Sequence, residues 1–319
     1  MRTNRTDWFS QAGFGIFVHW TPASLPEKGE QKSHSQAIKD FDVDGFVAQV
    51  VQTDAKFVFF TITHAEMRLP FPLAELDEIV PNHTSERDLI EELYRGLDKH
   101  GIKLCFYFNG DGAQDPEWNS TTLYREDPKA HAEYCYDIAR AISRKYEKKV
   151  HGWWIDCCYV PGRSSGYGVN YDFKRYADAL RAGNKDAIVA FNFSGAIMPW
   201  ECEWGRGISD YQAGEENDIE QLPESRFSGE GDLQWFGLCW MDQVLEYEGE
   251  KLNEYWVHER KGTPTPVYSN EKVLSYIKAI KDKGGVFAYN VALYQEGHIS
   301  EPTMEQLRWL KANRTQSDQ

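Results

Sequence analysis

Short apolar runs alternate along the chain with segments whose apolar residues recur at helical spacing. The first run is Gly13–His19, reading GFGIFVH. A helix is expected over 42–54, where Val43, Phe46, Val47, Val50 and Val51 fall at i, i+3, i+4, i+7 and i+8. Phe57–Ile62 reads as the next strand, followed by a helix over 86–100 with Ser85 as N-cap and Gly101 as its stop. Lys103–Phe108 is the third strand. A helix over 128–146 places Cys135, Ile138, Ala139, Ile142 and Tyr146 on one face, and the fourth strand is Gly152–Asp156. A helix over 172–182 and a strand at Ile188–Asn192 come next. Two weaker strands are expected at Ile208–Tyr211 and Phe236–Trp240, then a helix over 271–283 ended by Gly284 and Gly285. Val286–Val291 is the eighth strand, and a helix over 303–312 closes the chain.

Nearly continuous apolar strands separated by helices imply a parallel sheet covered on both faces. Eight of them favour closure into a (β/α)8-like (TIM) barrel over an open sheet. The regions 193–207 and 212–235 lack helical periodicity, so the barrel is expected to be irregular in its second half. With no repeat or linker, residues 1–319 read as a single catalytic barrel domain, a size such barrels commonly reach.

Barrel chemistry sits where strands end. The ends here carry His19-Trp20, Thr61 to His64, Asn109 with Asp111, Asp156, Asn192, Asp210 with Glu215, Trp240 and Asn290. Asp156 is the strongest candidate, because two tryptophans and an isoleucine precede it and an ionised carboxylate is costly in such company unless it is paired. The plainer reading is an Asp that caps a loop. His19 and His64 have the plainer reading of satisfied core histidines. Amides, carboxylates, histidines and tryptophans at one mouth suit a carbohydrate, which offers hydroxyls to hydrogen-bond and an apolar face to stack on. Glycoside hydrolysis needs a second carboxyl, roughly 5–5.5 Å away when configuration is retained. Glu66, Glu201, Glu203, Glu215, Glu216 and Glu230 all follow presumed strands. Glu215 is preferred, since Asp210-Tyr211-Gln212-Ala213-Gly214-Glu215 runs straight out of one.

Composition narrows the classes. A net charge of -15 argues against a nucleic-acid partner, which requires clustered Lys and Arg. The 11 tryptophans add slight weight to a sugar site. The six cysteines have no CxxC pairing, and no H-x-H pair or carboxylate-histidine cluster ends a strand, so neither a metal nor another cofactor is expected. No stretch approaches a membrane span, and MRTNRTDWF lacks a signal-peptide core. The expected location is cytoplasmic, or periplasmic or secreted if a leader precedes Met1. The segment 241–269, with Trp256, His258 and Arg260, reads as a lid, an interface or a solvated excursion.

The ordered motifs resemble the α-L-fucosidase family of glycoside hydrolases, family 29. Phe14-Gly15-Ile16-Phe17-Val18-His19-Trp20 resembles that family's F-G-[IL]-F-[IV]-H-W signature, and Thr61-Ile62-Thr63-His64-Ala65-Glu66 lies where members read T-x-K-H-H-D. Gly101 to Tyr107 is similar to G-[LI]-K-x-G-x-Y-Y, Trp154-Ile155-Asp156 to W-[FLI]-D, and Gly284 to Ile299 to G-G-N-x-L-L-N-x-x-P-x-x-D-G-x-I. The resemblance spans residue 8 to about 312. It implies a retaining exo-acting hydrolase of a terminal sugar, with Asp156 as nucleophile and Glu215 as acid/base. It implies His19, Trp20, His64, Glu66, Tyr107, Trp154 and Asn290 around a carbohydrate substrate. The chain departs from the pattern at Ala65, which replaces the second His, at Glu66, which replaces an Asp, and at Cys157-Cys158, where small residues usually stand. The C-terminal β-sandwich of many members is absent. These departures keep open a sugar other than fucose and a non-catalytic carbohydrate-binding barrel. The sugar, linkage and oligomeric state are not readable.

Overall fold

Every residue of the strand Phe57–Thr63 is buried, as a strand sandwiched between two apolar layers must be. The computed structural model describes residues 4–158, 171–193, 205–215, 219–228, 233–244 and 256–315. Among these, seven parallel strands form one curled sheet: β1 (Phe14–Val18), β2 (Phe57–Thr63), β3 (Lys103–Phe108), β4 (Gly152–Ile155), β5 (Ile188–Phe191), β6 (Phe236–Trp240) and β7 (Val286–Val291). Their order is β5-β4-β3-β2-β1-β7-β6. Successive side chains point to opposite faces of a strand. Phe17, Phe59, Tyr107, Trp154, Ala190 and Leu238 therefore fill the concave interior. Val18, Phe60, Phe106, Trp153 and Val189 pack outward under the helices.

The helices that cover the sheet begin at side-chain caps. Asp42 accepts from the Gly45 amide ahead of Val43–Gln52, and Asp88 accepts from the Glu91 amide ahead of Leu89–Asp98. Asp88, not Ser85, is thus the cap of the second helix; the Ser85 hydroxyl accepts instead from the Arg87 amide. Pro128–Tyr146 and Asn270–Asp282 lie close to their expected bounds, and Glu301–Thr315 is longer than expected. Short helices at His34–Asp40, Ala74–Asp77 and Pro116–Thr122 occupy loops, and are too brief to show a period.

The strand expected at Ile208–Tyr211, sixth in chain order, is the main correction. Ile208–Tyr211 is not a ladder strand, although it stands where one would close the barrel. Asp210 donates its amide to the Val189 carbonyl of β5, Gln212 to Gln234, and Leu238 of β6 to Gly214. The gap between β5 and β6 is bridged by this irregular run. Asp210 is pinned by Arg5 at 3.1 Å and Arg181 at 2.5 Å, so its carboxylate is a structural anchor. No helix among the described residues is long and apolar enough to cross a membrane.

Burial holds His19, His34, His131, His151 and His258 each to about 4. It raises Asp111 and Asp242 to about 7. The depressed histidines stabilise the fold above their unfolded value of about 6.5 and lose that contribution as pH falls toward 4. The two raised carboxyls act in the opposite sense, contributing below about 4 to 7 and losing it as pH rises through 7. Five groups against two predicts that stability falls between pH 7 and pH 5, by a few kcal/mol or about 5–10 °C in Tm. Thermal unfolding followed by circular dichroism checks this; a flat or rising Tm contradicts it.

Candidate active site

Asp156 directly follows β4, and its amide still bonds to the Phe108 carbonyl of β3 at 3.1 Å. Cys157 then takes a left-handed φ of 58°, turning the chain away and leaving the carboxylate over the concave interior. Tyr107, inward on β3, donates its hydroxyl to Asp156 Oδ2 at 2.5 Å. Asn192, just past β5, donates from Nδ2 to Asp156 Oδ1 at 2.9 Å. The same nitrogen donates to Glu215 Oε2 at 2.5 Å. An amide nitrogen carries two hydrogens, so it can serve both acceptors. The two carboxylate oxygens are therefore no more than 5.4 Å apart, the sum of those two bonds.

Glu215 reaches this position through the bridging run. The Trp154 indole donates to the Ala213 carbonyl at 2.9 Å. Gly214 has φ +64°, and a Cβ there would lie 2.0 Å from the Phe236 carbonyl oxygen. Glycine is required on both counts. The interior tryptophan and the bare backbone of Gly214 together set the height of Glu215 over the sheet.

His19 continues the inward parity of Phe17. Its Nδ1 lies 2.7 Å from Asn290 Oδ1, and Asn290 Nδ2 donates to the Trp256 carbonyl at 2.9 Å. Because the amide nitrogen is committed to that carbonyl, the pairing assigns the proton to His19 Nδ1 and leaves Nε2 as the acceptor. Burial, reinforced by His64, lowers His19 to about 4 against the opposing Asn290 bond and Asp156 charge. His64 is lowered too, by burial, with Asp156 and Glu259 pulling the other way. The His64 ring lies 5.8 Å from both His19 and Tyr107. Two neutral imidazoles thus flank the carboxylates.

The other expected residues divide. Asn290 orients His19 and the Trp256 backbone. Trp154 is fully buried and stacks 5.3 Å beneath Tyr107, so it forms the floor and not an exposed wall. Trp20 has the parity of Val18 and packs outward against His34, Phe41 and Phe60. It is not brought to Asp156. Glu66 is turned aside by the left-handed Ala65 and pairs with Arg68 at 3.0 Å. Glu201, Glu203, Glu216 and Glu230 lie outside the described residues.

Sequence reasoning missed Asn192 as the shared donor and Trp256 as an aromatic neighbour. Trp256 sits 5.5 Å from His19 and from Trp240. Its segment runs beside β1, where Val257 bridges His19, so this part of 241–269 packs onto the mouth. Asp111 is a third carboxyl nearby, raised to about 7 by burial and by Asp156, against a bond from the Ala113 amide. Cys157 accepts from Asn109 Nδ2 at 3.2 Å and is a free thiol, as is Cys158. No group of three or more His, Cys, Asp or Glu among the described residues is arranged to hold a metal.

Gly214→Ala is predicted to cost about 3 kcal/mol and to lower turnover at least about tenfold, because it must displace Glu215 or β6. Urea unfolding together with kcat on an aryl glycoside tests it; native stability with native activity contradicts the placement.

The comparisons with known proteins bear on the fold and the family. The Alpha-L-fucosidase family model matches residues 30–314. The α-L-fucosidase AlfC from Lactobacillus casei, solved with α-L-fucose, superposes with a TM-score of 0.62 at 17% identity, covering 99% of this chain and 100% of that one. An α-L-fucosidase from Paenibacillus thiaminolyticus gives 0.64 at 16% identity, over 98% and 76% of the two chains. The endo-fucoidan hydrolase P5AFcnA of glycoside hydrolase family 107 gives 0.70 at 13%, over 100% and 95%. No curated protein sequence matches the chain significantly. Identities this low speak for a shared barrel-like fold, whereas the family model covers most of the sequence: the chain belongs to the α-L-fucosidase family and is a glycoside hydrolase.

Proposed function

We propose that the protein is a retaining, exo-acting α-L-fucosidase-like hydrolase in which Asp156 is the nucleophile and Glu215 the acid/base. The observation that carries this reading is the single amide of Asn192 bonded to both carboxylates, which brings their oxygens within 5.4 Å. That spacing suits direct attack by one carboxylate, since an inverting pair stands roughly 6.5–9.5 Å apart to admit a water.

In the first step an Asp156 oxygen attacks the anomeric carbon while Glu215 gives its proton to the departing glycosidic oxygen. In the second, Glu215 takes a proton from water, which displaces the Asp156 ester and releases the sugar with its original configuration. The Tyr107 hydroxyl and the Asn192 amide stabilise the Asp156 carboxylate as an anion before attack. The neutral His19 offers Nε2 to a sugar hydroxyl, and His64 stands beside it. Trp256 and Trp240 supply an apolar wall. The family and the sugar complex of AlfC support fucose or a close relative as the terminal sugar.

Asp156→Gly is expected to reduce kcat on 4-nitrophenyl α-L-fucoside by at least about 10³-fold and to regain turnover with azide, yielding a glycosyl azide of inverted configuration. Unchanged activity in that variant overturns the nucleophile. Asn192→Ala removes a donor from both carboxylates, so kcat on 4-nitrophenyl α-L-fucoside is expected to fall at least about tenfold with the fold intact by circular dichroism. Native turnover in that variant would reduce Asn192 to packing.

A further inference from the structure

The chain departs from its family at Ala65 and Glu66, and the structure has a second cleft at that place. Beyond Ala65 the loop carries Glu66 and Arg68 outward. Their side chains pair at 3.0 Å and are 41% and 39% exposed. Arg68 Nε is the nitrogen in that bond. Among the described residues the terminal nitrogens of Arg68 and the second oxygen of Glu66 have no further hydrogen-bond partner. Both side chains line a narrow neck that begins at Thr61 to His64, and the His64 ring stands 5.8 Å from His19 and Tyr107 of the proposed catalytic site. They also line a wider cleft of about 270 Å³ that continues past His34 to Ser33, Ser35, Ile38 and Ser85.

The chemistry of this cleft suits one more sugar ring. Ile38, Leu69 and Pro22 give an apolar surface, while two serines, Asn82 and the Glu66–Arg68 pair supply donors and acceptors around it. His34 packs at 5.1 Å on the outward-facing Trp20, and its buried Nδ1 has no partner among the described residues. Burial, aided by Arg68, lowers His34 to about 4, leaving it uncharged near neutral pH. Arg68 is neutralised by Glu66. The lining therefore has no net positive charge to attract a sulfate or carboxylate, and a neutral ring fits it better.

We infer that the cleft bounded by Ser33, His34, Ser35, Arg68 and Ser85 is a leaving-group subsite that binds the neutral hexose to which the terminal sugar is linked. This rests on the reading of the Asp156 pocket as the sugar-cleaving site. It also gives Trp20 a place in the account: the tryptophan does not stack on the substrate in the first pocket but supports His34 at the edge of the second.

Isothermal titration of the Asp156→Ala protein separates the two claims. The probes are L-fucose and a set of disaccharides of α-L-fucose on N-acetylglucosamine, one for each available hydroxyl. At least one disaccharide is expected to bind tighter than L-fucose. Arg68→Ala should weaken that disaccharide roughly tenfold, the loss of one charge-assisted hydrogen bond. Ser35→Trp, at an exposed position, should do so by filling the cleft. L-Fucose binding should stay within about twofold in both variants, by the same scale. Disaccharides that bind no tighter than L-fucose, or variants that weaken both ligands equally or neither, overturn the subsite and leave the catalytic reading standing. If L-fucose itself does not bind, the sugar assigned to the Asp156 pocket falls, and the subsite falls with it.

Discussion

One amide nitrogen, Asn192 Nδ2, stands between two carboxylates that would otherwise repel each other at close range. Like charges repel at such range, and a donor shared between them lets both approach. The bond exists because three chain segments meet at one height. β4 brings Asp156, the end of β5 brings Asn192, and the bridging run brings Glu215. The height of that last segment depends on Trp154 beneath it and on the absence of a side chain at Gly214. Interior packing and catalytic spacing are thus the same constraint.

The surroundings follow from the cost of charge in a partly buried mouth. Burial keeps His19 neutral and lowers His64, so the carboxylates are not neutralised by imidazolium neighbours. Among the described residues a phenol and an amide donate to Asp156, and neither of these two groups carries charge. A carboxylate stabilised by neutral donors keeps its negative charge available for an electron-poor carbon, whereas a salt bridge would hold it in place. Arginine is used instead at the base of the barrel, where Arg5 and Arg181 lock Asp210.

The sheet was legible in the sequence because buried parallel strands are apolar almost throughout, and Asp156 was legible as the break in such a run. Strand parity also decides which side chains reach the mouth. Trp20 shares the outward face of Val18, so its distance from the pocket is already implied by Phe17 and His19 facing inward. The bridging run was misread as a strand because Ile208 and Tyr211 are apolar, while its bonds to β5 and β6 are isolated and leave no periodic trace. Asn192 stood among the polar strand ends, but its partners lie 36 and 23 residues away, and no local pattern reports a contact of that range. Trp256 belongs to a segment without periodicity, so only the folded arrangement brings it to His19.

The account turns on a covalent bond forming at Asp156. A 2-deoxy-2-fluoro fucosyl fluoride, which slows the second step more than the first, allows that bond to be seen by mass spectrometry of the intact and then digested protein. An ester at Asp156 predicts one fluorosugar per chain, on the peptide containing Asp156, lost again when a sugar acceptor is added. A label on another carboxylate, or no label alongside a first-formed product of inverted configuration, would contradict it.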